Sequence, residues 1–369
     1  MNLKIKRKKV IFVIGARPNF MKIAPILNNL KPNDKIFDPI VVHTGQHYDE
    51  KMSLNILNDL DFPEPNYFLN VGSGSHAKQT SDVMIKFENV CLEVRPSLVV
   101  VAGDVNSTMA CAIVASKLHI KIAHIESGLR SYDKKMPEEI NRIITDNISD
   151  LLFTTEISGN DNLIKEGMNE SKIHLVGNTM IDSLIKCLPM AQKMAPWIKY
   201  GFSGEDYFLL TLHRPSNVDN NNNLKILFSE LSKICSLYPI IFVIHPRTKK
   251  NMQRINFNLP ESIILTDSLP YIEFLGLMSK AKYVLTDSGG IQEETTALNV
   301  PCLTLRDNTE RPVTIDKGTN ILLGKISSNT YEKIKNVLEN PFKNGSQPDL
   351  WDGKASNRIL SIIEKYLCQ

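Results

Sequence analysis

The stretch Tyr283-Val-Leu-Thr-Asp-Ser-Gly-Gly-Ile-Gln-Glu-Glu-Thr295 leaves the chain little freedom of local fold. An apolar, β-branched run ends on Asp287-Ser288-Gly289-Gly290 and passes directly into a helical pattern, which reads as strand, tight turn and helix N-terminus. Two glycines at such a turn let the backbone approach a ligand with no Cβ in the way, and the open N–H groups and dipole of the first helical turn favour an anion, most often a phosphate. A strand-to-helix turn also needs glycine for steric reasons alone, so the turn by itself leaves both readings open. Glu293 and Glu294 follow in the first turn, where a carboxylate can accept bonds from sugar hydroxyls.

The same alternation runs through the chain. Lys9-Val-Ile-Phe-Val-Ile-Gly15 reads as a buried strand, Gly15-Ala-Arg-Pro18 as a turn and Asn19 to Leu30 as a helix. Arg17 and Lys22 thereby place cations near the carboxyl end of the first strand, where open α/β sheets bind ligands. No G-x-G-x-x-G is present, which argues against a dinucleotide-dependent dehydrogenase. Ile40 to His43 is the next strand, Met52 to Leu60 a helix, and the segment after Gly72-Ser-Gly-Ser75 a long helix ending near Arg95. Leu98-Val-Val-Val-Ala-Gly-Asp104 and Lys121-Ile-Ala-His-Ile-Glu126 are strands that each end on a carboxylate. Pro137 then opens a helix with Glu138 and Glu139 in its first turn and Arg142 one turn on. Asp104, Glu126 and Glu138 are therefore expected at one sheet edge, either as functional carboxylates or as a helix cap and a dipole partner.

Between Cys187 and Asp206 the periodicity weakens at Pro189, Pro196, Gly201 and Gly204, and the alternation restarts at Tyr207. The chain of 369 residues accordingly reads as two domains, 1–190 and 205–352, with a helix over 353–369 crossing back to the first. The predicted class is α/β, two Rossmann-like doubly wound domains facing each other across a cleft. The second contributes His213-Arg214, His245, the Ser288 turn and the run Arg306-Asp-Asn-Thr-Glu-Arg311, whose arginines suit a diphosphate. His213 reads equally as a site residue or as a satisfied core histidine.

Composition narrows the partners. A net charge of +3 is too small to imply nucleic acid, and no aromatic residues are interleaved among basic ones as stacking platforms would require, so no nucleic-acid partner is expected. No apolar stretch approaches the ~18–20 residues of a membrane span, and the basic N-terminal run lacks the apolar segment and small-residue cleavage site of a secretory signal, so the expectation is a cytoplasmic protein without a membrane partner. The six cysteines have no paired spacing, so neither a metal knuckle nor a disulfide framework is expected.

Taken in order, Gly15-Ala-Arg-Pro, Thr44-Gly-Gln-His, Gly103-Asp104, His124-Ile-Glu-Ser-Gly-Leu-Arg130, Pro137-Glu-Glu-Ile-Asn-Arg142, Gly177-Asn-Thr, His213-Arg-Pro, Asp287-Ser-Gly-Gly-Ile-Gln-Glu-Glu294 and Thr309-Glu-Arg-Pro312 resemble the motif series of the non-hydrolysing UDP-N-acetylglucosamine 2-epimerases. The resemblance covers nearly the whole chain. It implies a GT-B architecture, a homodimer, and interconversion of UDP-GlcNAc and UDP-ManNAc with no metal or other cofactor, as a supply for surface polysaccharide. By matching motif it implies Asp104, Glu126 and Glu138 as acid–base carboxylates and His213 as the group that steadies the departing diphosphate. It further implies Arg17, Lys22, Arg142, His245 and Arg311 as substrate contacts, Ser288, Gly289 and Gly290 at the phosphates, Glu294 at the ribose, and Leu269 and Tyr271 near the uracil. Gln46 and His47 match members activated by a second UDP-GlcNAc, whereas Asp49 and the Gly72–Ser75 loop depart from that pattern. Epimerases of UDP-2,3-diacetamido-glucuronic acid share Met136-Pro-Glu-Glu and His213-Arg-Pro-Ser-Asn, so the substituents at C3 and C6 stay open. A hydrolysing epimerase, a GT-B glycosyltransferase and a catalytically silent nucleotide-sugar-binding protein are the rival readings, the last opposed by the full set of Asp104, Glu126, Glu138 and His213.

Overall fold

The structure, a computed structural model, describes residues 7–30, 36–45, 59–203, 207–252, 259–340, 342 and 344–368. Gln46, His47, Asp49, Gly204, Asp206 and the helix expected from Met52, up to residue 58, lie outside the described residues. The chain divides into two compact units, the first running to Lys186 and resuming at Asp349, the second spanning Cys187–Pro348. Among the described residues no helix is long and apolar enough to cross a membrane.

In the first unit, β1 (Lys8–Ile14), β2 (Phe37–His43), β3 (Tyr67–Phe68), β4 (Leu98–Ala102), β5 (Lys121–Ser127), β6 (Leu151–Thr154) and β7 (Ile173–Leu175) form a parallel sheet in the order β3-β2-β1-β4-β5-β6-β7. β4 is buried along its whole length, which is why its sequence is continuously apolar and does not alternate. Ile11 lies in register with Val99, and Val99 with Ile122. The helices His76–Val94 and Asn106–Lys117 complete this core with Val83, Phe87, Ala110, Cys111 and Ala115.

The strand order reverses between β1 and β4. In an open parallel sheet that is the point where connections leave on opposite faces and a crevice opens outside the carboxyl ends of the strands. Gly15 follows β1 and Gly103-Asp104 follows β4, so the turns singled out by their composition lie at this reversal.

The last helix, Ala355–Leu367, belongs to the first unit. Its N-terminus is held by Asp182, which accepts bonds from Ala355 N–H (3.2 Å), Ser356 N–H (2.7 Å) and the Ser356 hydroxyl (2.6 Å). Just before it the fully buried Trp351 donates its indole N–H to the Thr155 carbonyl at 2.9 Å.

The second unit carries β8 (Phe208–Thr211), β9 (Ile240–Val243), β10 (Ile263–Thr266), β11 (Tyr283–Thr286), β12 (Cys302–Thr304) and β13 (Asn320–Leu322), parallel and in the order β10-β9-β8-β11-β12-β13. Its core joins Phe208, Leu210, Phe242, Leu285 and Leu303 to Leu224, Leu227, Phe228 and Leu231 of the helix Asn221–Ile234. Here the order reverses between β8 and β11, and the segments leaving those strands contain His213 and Ser288.

Two expectations differ from the observed bounds. The weakening periodicity placed the first domain's end at 190 and the start of the next at 205, whereas the division falls at Lys186 and Cys187, inside a helix that runs Thr179–Met194 through Pro189. A proline removes one donor from a helix without ending it when the packing on either side is maintained, and here Ile181, Leu184, Cys187 and Ala191 stay buried across it. The irregular part is the 3₁₀ turn Pro196–Tyr200, flanked by Ala195 and Gly201 in left-handed conformations. At the other end the chain returns to the first unit at Asp349, ahead of the expected 353, because Trp351 anchors the segment before its helix.

Candidate active site

The first unit assembles its polar groups at the carboxyl ends of β1, β4 and β5. Asn19, unremarked in the sequence, accepts bonds from Gly15 N–H (3.2 Å) and Ala16 N–H (2.9 Å) and donates to the Ala102 carbonyl (2.8 Å), which ties the turn after β1 to the end of β4. Gly15 is required there: a Cβ would lie 2.3 Å from Ser107 Oγ and 2.5 Å from Thr44 Oγ1. Arg17 opens the helix Arg17–Asn28; its side chain lies outside the described positions.

Lys22, on the same helix, is buried, and its ammonium pairs with the Glu126 carboxylate at 2.7 Å. Glu126 is itself 1% exposed and has φ +67, a left-handed backbone that a glutamate rarely adopts and that costs about 1–3 kcal/mol. The cause is local: the register between β5 and β6 shifts between Ile125 and Ser127, and Glu126 is the residue the shift leaves over. The distortion releases Glu126 from the strand alternation and sets its carboxylate against Lys22.

Asp104 is half-buried and bonds to the Arg142 guanidinium, whose Nη1 reaches Glu139 at 2.9 Å. Arg142 is 1% exposed and has a carboxylate at each end of its fork, Asp104 and Glu139. The two neighbouring glutamates of its helix separate sharply. Glu138 is exposed in the first turn, while Glu139 points inward and accepts from Ser131 N–H (2.9 Å), Ser131 Oγ (3.0 Å) and Tyr132 N–H (2.9 Å). Sequence spacing gave no means to tell them apart; their burial does.

Asp287 organises the second unit. It is fully buried and accepts from His213 N–H (3.1 Å), Arg214 N–H (3.0 Å) and Asn217 Nδ2 (3.0 Å), with His213 Nδ1 3.1 Å away. Burial alone would raise its carboxyl, but the bonds and charge of His213, with those from Asn217 and Arg214, carry it below the ordinary carboxylate value. With Nδ1 against Asp287, Nε2 lies on the far side of the ring from that carboxylate. His213 is partly exposed, which decides against the core-histidine reading, and its ring lies 5.7 Å from that of the exposed His245.

Ser288 is the N-cap of the helix Gly289–Leu298 and makes no side-chain bond to its first turn, so these N–H groups have no cap from that residue. Ser288, Gly289 and Gly290 are half-exposed. At Gly289 a Cβ would sit 2.7 Å from Arg311 Nη1, so the glycine lets the arginine lie close against the turn. The arginines expected to grip a diphosphate are already engaged: Arg306 forks onto Glu310 at 2.9 and 3.0 Å, and Arg311 pairs with Glu293 at 2.9 Å and Glu310 at 3.5 Å. Burial opposes ionisation of Glu310, yet Arg306, Arg311 and Arg214 hold its carboxyl well below the usual range. Arg311 therefore lies as a brace behind the Ser288-Gly289 turn. Glu294 accepts from the Tyr271 hydroxyl at 2.9 Å, both residues nearly buried, and Leu269 lies half-buried two residues before Tyr271. Gln292, also missed in the sequence, donates to the Ser288 carbonyl and accepts from Thr309 and Asn320.

Among the described residues no group of three His, Cys, Asp or Glu side chains is placed to hold a metal ion. Two doubly wound parallel sheets, one with carboxylates and the other with an uncapped helix N-terminus beside two histidines at the strand reversal, define a GT-B type α/β protein with the groups for acid–base and anion chemistry.

Known proteins make the class specific. The family model described as UDP-N-acetylglucosamine 2-epimerase matches residues 30–364. The chain is 44% identical over 365 residues to the UDP-N-acetylglucosamine 2-epimerase of Methanocaldococcus jannaschii, covering 96% of this chain and 98% of that protein. A crystal structure of the M. jannaschii UDP-GlcNAc 2-epimerase in complex with UDP-GlcNAc and UDP matches with a TM-score of 0.87 at 42% identity, covering 97% of this chain and 99% of that one. The UDP-2,3-diacetamido-2,3-dideoxy-D-glucuronate 2-epimerase of Pseudomonas aeruginosa is 38% identical over 361 residues, covering 97% and 99% respectively. The chain belongs to the UDP-N-acetylglucosamine 2-epimerase family.

Proposed function

We propose that this chain is a non-hydrolysing 2-epimerase that interconverts UDP-GlcNAc and UDP-ManNAc. A carboxylate removes the proton at C2, the C–H electron pair becomes the C1–C2 double bond of 2-acetamidoglucal, and UDP leaves with the electrons of the C1–O bond. UDP then adds back to C1 while C2 takes a proton on its other face. The proton beside an acetamido carbon is weakly acidic, so departure of the diphosphate has to accompany its removal.

The observation that carries this reading is the clamping of Asp104 and Glu126, at the ends of adjacent strands, by Arg142 and Lys22. Proton transfer in both directions needs more than one positioned carboxylate, and these two, with the exposed Glu138, are the candidates. His213, held through Nδ1 by Asp287, and the N-terminus at Ser288 are proposed to meet the diphosphate, with His245 beside them. Glu294 and Tyr271 are proposed at the nucleoside. A homodimer working in the cytoplasm without a metal or nicotinamide completes the proposal.

A second reading is favoured by the Pseudomonas relative: the same chemistry on a sugar nucleotide modified at C3 and C6. One experiment separates these. Proton NMR of the purified chain with UDP-GlcNAc in heavy water, with no metal or NAD added, is expected to give UDP-ManNAc carrying deuterium at C2. Free ManNAc with UDP selects the hydrolysing activity instead, and unchanged UDP-GlcNAc under conditions that turn over the diacetamido-glucuronate nucleotide selects the second reading.

A further inference from the structure

Strands β4 and β5 end in two glycines with left-handed backbones, Gly103 at φ +69 before Asp104 and Gly128 at φ +78 two residues after Glu126. A single buried side-chain cluster touches both. His124, fully buried on β5, places Nε2 2.8 Å from the Gly103 carbonyl and Nδ1 2.7 Å from Asp146 Oδ1. Asp146, equally buried on the helix Pro137–Ile148, accepts from Gly128 N–H at 3.2 Å and pairs with Arg130 at 2.7 Å. Arg130 also forks onto Glu166 with two bonds of 2.7 Å. The cluster thus bonds the backbone beside Asp104 at one end and the backbone beyond Glu126 at the other.

Its charges close. A carbonyl only accepts, so Nε2 of His124 carries a proton; Nδ1 faces an ionised carboxylate, so it carries one as well. His124 and Arg130 are then balanced by Asp146 and Glu166. Burial works against ionisation of Asp146, and the bonds and charges of His124 and Arg130 overcome it and bring its carboxyl below the ordinary value.

We propose that His124, Asp146 and Arg130 form a positioning frame that fixes Asp104 relative to Glu126, with the doubly protonated His124 ring as the strut between the Gly103 carbonyl and Asp146. The proposal rests on the epimerase reading for its rate consequences but not for its geometry. None of the three is placed to touch the reacting atoms; they act through the turns that carry the carboxylates. A rigid frame matters because a misplacement of ~1 Å at a reacting group costs roughly 10²-fold in rate.

The test uses two replacements that divide the ring's bonds. In His124→Gln the amide nitrogen falls where Nε2 was and keeps a donor for the Gly103 carbonyl. In His124→Asn it falls where Nδ1 was and keeps only the Asp146 bond. With UDP-GlcNAc as substrate, His124→Asn is expected to lose roughly 10²-fold in kcat with KM within about threefold, and His124→Gln to stay within about tenfold of the unmodified chain. Equal losses in the two variants, losses that follow melting temperature, or losses confined to KM overturn the frame. If His124→Asn does not fold, Asp146→Asn repeats the test from the other end, with a fall of at least about tenfold in kcat at unchanged KM expected. A measurement independent of turnover accompanies these. Nitrogen-15 NMR of histidine-labelled protein should give two one-bond N–H correlations that vanish in His124→Gln. A single correlation refutes the doubly protonated strut. Should the unmodified chain not epimerise UDP-GlcNAc, the functional reading fails there and the ring spectrum decides the frame.

Discussion

Gly103→Ala tests whether Glu126 is held by a lysine for which only a glycine leaves room. Gly103 has φ +69, where an alanine costs about 1–2 kcal/mol from the left-handed backbone alone. The added Cβ would lie 2.7 Å from Lys22 Nζ, and next 3.9 Å from Lys22 Cε and Asn19 Nδ2. The close collision is therefore with the tip of a flexible side chain, which can swing away without unfolding the sheet. What it cannot do is swing away and keep its 2.7 Å pair with Glu126. Breaking a buried pair costs roughly 3–5 kcal/mol when one partner is lost outright, and a displaced lysine forfeits part of that. The total expected for Gly103→Ala is about 2–4 kcal/mol, a melting temperature lowered by roughly 5–15 °C for a unit of this size, and a loss of roughly 10²-fold in epimerisation rate.

A double-mutant cycle separates strain from collision. In a Lys22→Ala background the new methyl has no ammonium to meet, so Gly103→Ala should cost only the backbone term of about 1–2 kcal/mol. Unfolding monitored by circular dichroism on the four proteins supplies the coupling. If Gly103→Ala costs the same with and without Lys22, the two residues are uncoupled and the account of how Glu126 is held is wrong.

The remaining predictions concern the other carboxylates. Asp287→Asn removes a charge that four polar groups face, at a cost of about 1–3 kcal/mol for each backbone donor left unsatisfied. Because Asp287 ionises below its ordinary value of 3.8 in the folded chain, its contribution is present above pH 3.8 and is lost as pH falls through the folded value. The variant should therefore show a flatter decline in melting temperature on acidification, and a curve parallel to that of the unmodified protein would remove Asp287 as a pH-linked support. Glu138→Gln, at an exposed position, should leave the melting temperature unchanged while lowering kcat by roughly 10²-fold or more. Full activity would exclude Glu138 from proton transfer.

The strands were legible in the sequence because parallel strands buried on both faces are written as unbroken apolar runs, as in Leu98-Val-Val-Val-Ala102. The turns were legible because glycine and proline mark them. Strand order is not encoded locally, so the reversal between β1 and β4, which gathers Gly15 and Asp104, emerges only from the sheet. The left-handed backbone of Glu126 was invisible for a different reason: a glutamate gives no signal for positive φ, and the register shift behind it depends on pairing with β6. Lys22 and Glu126, and His213 and Asp287, meet across long stretches of chain, so sequence spacing held no trace of either pair. The carboxylate partners of the arginines in the 306–311 run were likewise unreadable: Arg306 forks onto Glu310, four residues on, while Arg311 pairs with Glu293 from the helix after Ser288.

The two ends of the first sheet differ in a way that locates function without any motif. At the amino ends of the strands the ion pairs are solvated: Arg7 with Asp38 at 3.4 Å and Lys121 with Asp150 at 3.0 Å, pairs of a kind that contributes about 0–1 kcal/mol. At the carboxyl ends Lys22 with Glu126 and Arg142 with Asp104 and Glu139 are buried or nearly so, where replacing charged pairs by apolar side chains is often neutral or stabilising. To these the chain adds a strained glutamate and glycines in left-handed turns. Folding stability does not by itself call for the buried pairs or for the left-handed backbone of Glu126. They gather where β1, β4 and β5 end, beside Asp104 and Glu126, the carboxylates proposed to move the proton, and such a group has to be held in place as well as ionised.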